Sequence, residues 1–448
     1  MIKIKTFPQG GVHPHEHKIS KDKKIEFLSL PETVSIPLSQ HIGAPAESLV
    51  QPNDKVKVGQ LIAKATGFVS ANIHSSVSGT VQKIEPVMDV SGYKKPAIII
   101  KVEGDDWQDS IDKTIAIKRE ITATSEEIKQ KIQESGIVGL GGATFPSHIK
   151  LSIPAGKKLE YLIINGVECE PFLTSDHRLM LEKAEEIFIG IQLLLKALGI
   201  KKTLIGIENN KKDAIAIFEK LSQHYSDIKI FALKTQYPQG GERQLVKALT
   251  TREIPPAPKG LPIDVGCIVQ NVGTVYAIYE AVQKNKPLFE RVVCVTGKTL
   301  LHPSNYLVRI GTPIRKLLET AGGLPDNAGK VICGGPMMGK ALPHLDIPVT
   351  KGTSGVVVIP ENEAKRPEVL NCVHCSKCVS SCPLGLEPYL LMALIERKYF
   401  DKAEDERILS CCECACCVFI CPSNRPLLDH IRIGKQKVLE NIKSRDKK

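Results

Sequence analysis

The chain has 448 residues, of which 42% are hydrophobic and 24% are charged, enough for about three domains that each bury a core. No run of about eighteen uncharged apolar residues occurs, which predicts that no helix spans a membrane. The charged start lacks the apolar segment of a secretory signal. We therefore expect a soluble protein that is not exported.

The net charge of +11 gathers partly at the two ends of the chain. These ends form either a solvated surface or a site for an acidic protein or an anionic membrane face. Nucleic acid is the less favoured partner, because the ends carry no interleaved aromatic residues and no recognition motif. The basic residues are Lys3, Lys5, Lys18, Lys21, Lys23 and Lys24 at the front, and Lys435, Lys437, Lys443, Arg445, Lys447 and Lys448 at the back.

Residues 1–115 contain short runs in which apolar and polar residues alternate, and Gly and Pro separate these runs. This pattern predicts strands. The stretch VKVGQLIAKATGFVSANIHSSVSGTVQKI, beginning at Val56, resembles the barrel-sandwich fold of lipoyl and biotinyl carrier domains. Those domains present a modified lysine on a hairpin. The corresponding hairpin here, residues 66–71, has no lysine, so we expect an unmodified scaffold.

Residues 116–285 predict a largely parallel, Rossmann-like α/β domain, because helical and buried-strand patterns alternate. Thr124 and Glu127 form a capping box that opens a helix. Strands are predicted to begin at Tyr161, Thr203 and Ile228. The helices predicted after the first of these strands cover residues 178–198, 213–224 and 242–249.

Residues 286–355 return to strands, with one helix near residues 313–320 and a glycine-rich turn at residues 334–339. This pattern resembles a ligand-binding β-grasp module of the SLBB type. Residues 356–448 are predicted to form a helical domain that ends in a basic tail.

The last domain contains eight cysteines in two identical frames, each reading C-x2-C-x2-C-x3-C-P, the spacing that holds [4Fe–4S] clusters in bacterial ferredoxins. Three thiolates on consecutive turns reach one cube, and the fourth cysteine completes the other cube. We therefore predict two clusters with crossed ligation. One is held by Cys372, Cys375, Cys378 and Cys421, and the other by Cys411, Cys414, Cys417 and Cys382.

Zinc and disulfides are the weaker alternatives, because the two matched frames fit ferredoxin spacing better than a single zinc or dithiol motif. Cys412 and Cys416 lie between ligand positions and are interpreted as small buried thiols. The remaining cysteines are scattered singly through apolar stretches, which indicates core positions in a reducing compartment.

The glycine-rich segment GLGGATFP begins at Gly139, and Gly141 and Gly142 follow within it. Glycines at these positions let backbone N–H groups approach a phosphate that side chains would block. Alone, the segment indicates only a turn. Three further segments follow it in order: YLIINGVECEPFLTSDHRLM, YPQGGERQL and VQNVGTVYAI.

In this order, the four segments resemble the NADH-oxidising flavoprotein subunit of respiratory complex I. The opening FPQGGVHPHEHK, the turn GGPMMG and the two cysteine frames narrow the resemblance to the RnfC family, a subunit of membrane-bound ferredoxin:NAD⁺ oxidoreductases of bacteria. The resemblance covers nearly the whole chain. The resemblance implies that the opening segment is a structural arm. Its His13, His15 and His17 are too few ligands for a closed metal site.

The resemblance implies an FMN and NAD(H) site. Lys150 and the three glycines of the loop would line the pocket, Asn165 and Glu168 would contact the flavin, and Tyr237 and Glu242 would flank the nicotinamide as catalytic residues. The FMN phosphate would be held by Gln270, Asn271 and Thr274. The sequence departs from the complex I pattern at Leu140, Val167 and Gly241, which carry no charge where that pattern has an arginine, an aspartate and a glutamate. For Glu170, a role in stabilising the turn before Pro171 stays open.

The resemblance further implies that hydride is exchanged at FMN, that single electrons pass through two clusters, and that other subunits translocate ions. The chain would lie peripherally on the cytoplasmic face of the bacterial inner membrane. Its partners would be the membrane subunits and the ferredoxin-type subunit of the Rnf complex. Two alternatives remain: a cobalamin reductase of a bacterial microcompartment, and a non-enzymatic iron–sulfur binding protein.

Overall fold

The computed structural model describes residues 4–258 and 260–445. Lys3, Lys447 and Lys448, three of the basic residues assigned to the ends, lie outside these ranges. Residues 4–24 form an arm without long regular elements. The arm is tied to the rest of the chain by backbone bridges from Lys5 to Leu233 and from Val12 to Tyr237.

The first unit consists of two small antiparallel sheets packed around an aliphatic core that includes Ile36, Ile62 and Ile98. The loop of residues 65–72 joins two paired strands, as the barrel-sandwich prediction requires. The strands are Thr33–Pro37, Glu47–Ser48, Lys55–Val56, Leu61–Lys64, Ile73–His74, Ser78–Met88 and Lys94–Gly104.

The second unit is a parallel sheet with helices packed on it, as predicted. In spatial order its strands are Ile228–Leu233, Thr203–Glu208, Tyr161–Gly166 and Cys267–Asn271. They are largely apolar along their length because parallel strands are buried on both faces. The last of these strands was not predicted.

Helices flank this sheet, and the capping box of Thr124 and Glu127 forms as predicted. The helix predicted over residues 178–198 is instead two helices separated at Lys183. The α-helices are Ser125–Glu134, Ser147–Leu151, Ser175–Glu182, Ala184–Leu198, Lys212–Ser222, Glu242–Thr250 and Val272–Lys284, with a 3-10 turn at Pro262–Val265.

The third unit is a mixed sheet that carries the predicted helix at Ile314–Thr320. Its strand Gly355–Pro360 pairs with two neighbours and extends past the predicted boundary at residue 355. The strand Ile25–Phe27 joins the same sheet from the N-terminal part of the chain. The other strands are Glu290–Gly297, Ser304–Arg309, Ala328–Cys333 and Lys340–Ala341, and a short helix follows at Glu361–Ala364.

The C-terminal unit is helical, as predicted, with its own core around Leu391, Ile408 and Ile431. Its helices are Lys377–Ser380, Pro388–Glu396, Phe400–Asp405, Cys416–Phe419 and Leu427–Arg445, with a 3-10 turn at Ile408–Ser410. Within residues 4–258 and 260–445, no helix combines the length and the apolar character needed to cross a bilayer.

Candidate functional site

The candidate site lies at the carboxyl edge of the parallel sheet. Asn165 and Asn271 are register partners at the ends of two adjacent strands. The chain continues from the strand Tyr161–Gly166 to its neighbour on one side and returns later to the strand on the other side. In open α/β sheets, ligands bind in the crevice at such a switch point.

The glycine-rich loop closes over this crevice and is held by three hydrogen bonds. Gly139 N–H donates to the Phe145 carbonyl at 2.9 Å, and Leu140 N–H donates to Thr274 Oγ1 at 2.8 Å. Arg291 donates to the Leu140 carbonyl at 3.3 Å. In the part of the chain that the structure describes, the exposed N–H groups of Gly141 and Gly142 have no acceptor. Free backbone donors in a glycine-rich loop suit an anion.

The three glycines of the loop are not equivalent. A Cβ at Gly141 would lie 2.9 Å from Asn271 Cβ, closer than real side chains approach. Gly142 has open space around it but a φ of +154°. A Cβ at Gly139 would meet only ordinary contacts, the nearest at 3.7 Å. The packing therefore requires a glycine at position 141, whereas position 139 has room for a side chain.

Asn271 and Thr274 build the loop and the helix that follows. Asn271 Oδ1 accepts from Gly273 N–H at 2.8 Å and from Thr274 N–H at 3.4 Å, which caps the helix Val272–Lys284. Its amide donates to Asp176 Oδ2 at 2.7 Å. These contacts give both side chains a part in positioning the loop, and the Thr274 hydroxyl hydrogen has no acceptor among the described residues.

Gln270 is different, because it is 2% exposed and its Nε2 has no partner among the described residues. A buried amide donor without an acceptor costs free energy unless a ligand or a water satisfies it. Its position at the end of a strand beside Asn271 places this donor at the carboxyl edge of the sheet.

The turn after the strand Tyr161–Gly166 is fixed from several sides. Asn165 donates to the Gly240 carbonyl at 2.9 Å. Glu168 is buried and accepts from Asp176 N–H at 2.9 Å and from His177 N–H at 3.3 Å, at the start of a helix. Burial, with a contribution from Glu168, raises the pKa of Asp176. The Glu168 carboxylate therefore holds the turn.

Glu170 stabilises the same turn, which answers the question left open by the sequence. Its carboxylate accepts from Met337 N–H at 3.0 Å and from Met338 N–H at 2.9 Å. A Cβ at Gly335 would collide with that carboxylate. The GGPMMG turn is thus the docking site of Glu170, and burial raises the pKa of this carboxyl group to about 7.

Lys150, Glu242 and Tyr237 lie in different environments. Lys150 Nζ lies 3.3 Å from Glu242 Oε1 and donates to the Val269 carbonyl at 3.1 Å. The Glu242 side chain is partly exposed. Tyr237 is 2% exposed, and its hydroxyl has no partner among the described residues. It packs with Val12 against the second cysteine frame.

The two cysteine frames have the same backbone conformation. Positive φ angles occur at His374 and Ser376 in the first frame and at the equivalent Glu413 and Ala415 in the second. Because residues other than glycine adopt this region rarely, the repetition indicates a specific loop. Each loop winds the chain tightly between its cysteines.

Four of the eight frame cysteines lie together as one crossed set. One cavity is lined by Cys411, Cys414 and Cys417 of the second frame together with Cys382 of the first. Cys378 and Cys421 pack around Met392 in a second apolar cluster, which Cys417 of the second frame also joins. Burial raises the pKa of Cys378, and the nearby Cys421 contributes to the shift.

The thiols of the two frames are of the kind that ligate four-iron cubes in ferredoxins. Within the described residues, no three His, Cys, Asp or Glu side chains are close enough to hold one metal ion. Cys416 is buried, as interpreted from the sequence, but Cys412 is exposed, so for Cys412 that interpretation was wrong.

The second frame packs against Tyr237, which the resemblance assigns to the nicotinamide side of the site. Tyr237 lies in one apolar cluster with Cys414 and Cys416. The arm also contacts the first frame, because Gly11 N–H donates to the Ser381 carbonyl at 2.9 Å. In the first frame, by contrast, Cys372 and Cys375 are exposed.

Comparison with known proteins identifies the family. Residues 5–105 match the RnfC barrel sandwich hybrid domain, residues 132–280 the Nuo51 FMN-binding domain, and residues 292–341 the SLBB domain. The chain is 42% identical over 411 residues to the C subunit of the proton-translocating ferredoxin:NAD(+) oxidoreductase complex of Clostridium ljungdahlii, covering 90% of this chain and 87% of the relative. It is also 42% identical over 439 residues to the Na(+)-translocating counterpart of Acetobacterium woodii, covering 98% of each chain.

The chain belongs to the RnfC family. The resemblance inferred from the sequence is thereby confirmed, as are the predicted fold classes of the first three units. Among solved structures, an NAD+-reducing [NiFe]-hydrogenase in the H2-reduced state aligns with a TM-score of 0.50 at 19% identity. This alignment covers 70% of this chain and 63% of the hydrogenase chain, and it supports the fold alone.

Two residues important for the site of this RnfC-family chain were not singled out from the sequence. Arg291 reaches from the β-grasp module to the glycine-rich loop, and Lys18 reaches from the arm to the turn after Asn165. No periodicity or motif marks them, because each acts across a separation of about 150 residues. Lys18 was named only as one of the basic residues near the N-terminus and as the last residue of the opening segment FPQGGVHPHEHK.

Proposed function

We propose that this chain is the electron-transfer subunit of a membrane-bound ferredoxin:NAD⁺ oxidoreductase. It exchanges hydride with NAD(H) at a bound FMN and passes single electrons through two [4Fe–4S] clusters. Other subunits couple this transfer to ion translocation. The names of the two relatives support the proposal, since both are C subunits of ferredoxin:NAD(+) oxidoreductase complexes.

One observation carries the proposal: the second cysteine frame packs on the turn that borders the candidate flavin crevice. Tyr237 touches this frame, and the same loop continues to Gly240, whose carbonyl accepts from Asn165. Electron transfer requires donor and acceptor to be close. A binding protein with purely structural clusters would not need them against the flavin domain.

Different residues of the crevice contact different parts of the ligands. The free N–H groups of Gly141 and Gly142 receive the FMN phosphate, and Gln270 supplies a buried donor. Lys150 adds a fixed positive charge that is only partly neutralised by the exposed Glu242. A bound flavin supplies the ability to exchange electrons in pairs with nicotinamide and singly with iron–sulfur clusters.

The positions of the two proposed catalytic residues suggest different tasks. Glu242 lies partly exposed beside Lys150, so it orients NAD(H) from the open side. Tyr237 is buried between the turn and the second frame, so it excludes water from the junction. Neither residue is needed as a proton donor or acceptor, because a bound flavin would itself supply hydride exchange with nicotinamide.

The exposed first frame indicates where electrons leave the chain. The cluster of Cys411, Cys414, Cys417 and Cys382 lies next to the flavin, and the cluster with the exposed Cys372 and Cys375 faces a partner. We propose the membrane subunits and the ferredoxin-type subunit of the Rnf complex as partners. The chain would sit peripherally on the cytoplasmic face of the bacterial inner membrane, and it would not bind nucleic acid.

Cofactor analysis of the anaerobically purified chain tests this proposal. The expected result is about eight iron atoms per chain, together with one releasable FMN. Stoichiometric zinc, or iron without any flavin bands after reconstitution with FMN, would contradict it. NADH oxidation with a dye acceptor then separates an enzyme from a binding protein.

A further inference from the structure

Lys18, in the N-terminal arm, makes an unusual set of contacts with the turn beside the candidate flavin site. Its Nζ donates to the carbonyls of Glu168 at 2.7 Å, Glu170 at 2.9 Å and Leu173 at 2.7 Å. Three acceptors around one nitrogen use every N–H of an ammonium group, whereas a neutral amine has only two. The geometry therefore requires the charged form of Lys18.

The charge of Lys18 is buried without a direct counter-ion. Among the residues that the structure describes, no carboxylate oxygen lies within salt-bridge distance of it, although Glu168 and Glu208 are near enough to raise its pKa. Burial and the nearby Lys211 lower that pKa. A positive charge held in this way is costly, which points to a purpose beyond packing.

The arm also holds the turn in a conformation that it would not adopt alone. Phe172 has a φ of +70°, in the left-handed region that non-glycine residues avoid. Its N–H donates to the Glu16 carbonyl at 2.8 Å, and its ring lies 4.9 Å from that of His17. Strain maintained by surrounding contacts is typical of functional sites.

We propose that Lys18 is a positioning residue of the flavin site, which shapes the turn of Glu168 to Leu173 and keeps a positive charge behind it. This inference rests on the proposed function, since it concerns the FMN bound there. A fixed positive charge favours the reduced flavin, which carries more negative charge than the oxidised form. Lys18 therefore raises both the affinity for FMN and the midpoint potential of the bound flavin.

The test compares three variants of the full-length, cluster-loaded chain: Lys18→Met, Lys18→Arg and Lys24→Met. Lys24 lies on the same arm and is exposed, so Lys24→Met makes the same charge change without touching the turn. FMN dissociation is measured by fluorescence, and the flavin potential by spectroscopic titration. Lys18→Met should weaken FMN binding about tenfold or more and make the potential more negative.

Lys18→Arg keeps the charge but cannot direct three N–H groups from one atom, so it should lose FMN affinity while its potential stays near that of the wild type. Lys24→Met should match the wild type in both FMN affinity and flavin midpoint potential. Unchanged affinity and potential in Lys18→Met would overturn the inference while the proposed function stands. If Lys18→Met does not fold, unchanged FMN affinity in Lys18→Arg overturns it. A wild-type chain that binds no FMN instead refutes the proposed function.

Discussion

Adding one methyl group at Gly141 should damage the flavin site, whereas the same addition at Gly139 should not. In Gly141→Ala the new Cβ would lie 2.9 Å from Asn271 Cβ and 3.0 Å from its Nδ2. Either Asn271 moves and uncaps the helix Val272–Lys284, or the loop moves and breaks the hydrogen bond from Leu140 to Thr274. Either movement displaces the free N–H groups of Gly141 and Gly142 that we assign to the FMN phosphate.

The cost follows from the hydrogen bonds that would break. An N-cap contributes about 1 kcal/mol, and a buried N–H left without an acceptor costs about 1–3 kcal/mol. If about 1–2 kcal/mol of this cost is taken from the binding free energy, FMN binds about five- to thirtyfold more weakly. Gly139→Ala is the matched control, because its nearest contact would be 3.7 Å away.

FMN binding to the full-length protein is measured by quenching of flavin fluorescence, with cluster absorbance as the check on folding. Gly141→Ala should lose affinity and keep its clusters, and Gly139→Ala should bind FMN like the wild type. If Gly141→Ala binds FMN normally, or if both variants lose it equally, the loop does not hold the phosphate as we describe.

Three further predictions test other contacts. Thr274→Val removes the acceptor of Leu140 N–H at constant shape and should weaken FMN binding about tenfold. Thr274→Ser keeps the hydroxyl and should bind FMN like the wild type. Equal FMN affinity in the wild type and both variants would refute the assigned contact. Cys382→Ser should damage the cluster of the second frame more than that of the first in EPR spectra, and the reverse pattern would exclude crossed ligation. Because burial raises the pKa of Glu170 to about 7 in the folded state, deprotonation opposes folding, and the melting temperature should fall as pH rises from about 4.5 to 7. Glu170→Gln should flatten this part of the profile, and an unchanged slope would show that another group causes it.

Patterns among residues that are close in the sequence predicted much of the fold. The capping box of Thr124 and Glu127 lies within four residues, and the strand beginning at Tyr161 is a continuous apolar run. The strand Cys267–Asn271 was missed because it is short and merges directly into the helix that begins at Val272. The break at Lys183 also escaped prediction, because the apolar pattern continues through it.

The interactions that join the units could not be predicted from the sequence. Ile25–Phe27 pairs with Ser304–Arg309, far along the chain, and short strands have no register signal of their own. Glu170 binds the turn at Met337 through backbone N–H groups, which every residue except proline carries, so no side-chain pattern marks the pair. The cysteine frames could be singled out because their spacing alone predicts iron–sulfur ligation, whereas their contact with Tyr237 depends on how the units pack.

Reduction by NADH of the anaerobically prepared chain, followed by stopped-flow absorbance, tests the central claim most directly. The account predicts that FMN bleaches first and that iron–sulfur absorbance then falls within the same chain, without any added partner. Replacing Tyr237 by Ala should slow the second phase and leave the clusters assembled. If NADH reduces the flavin while the clusters stay oxidised, although dithionite reduces them, the flavin site and the second frame are not connected, and the account is wrong.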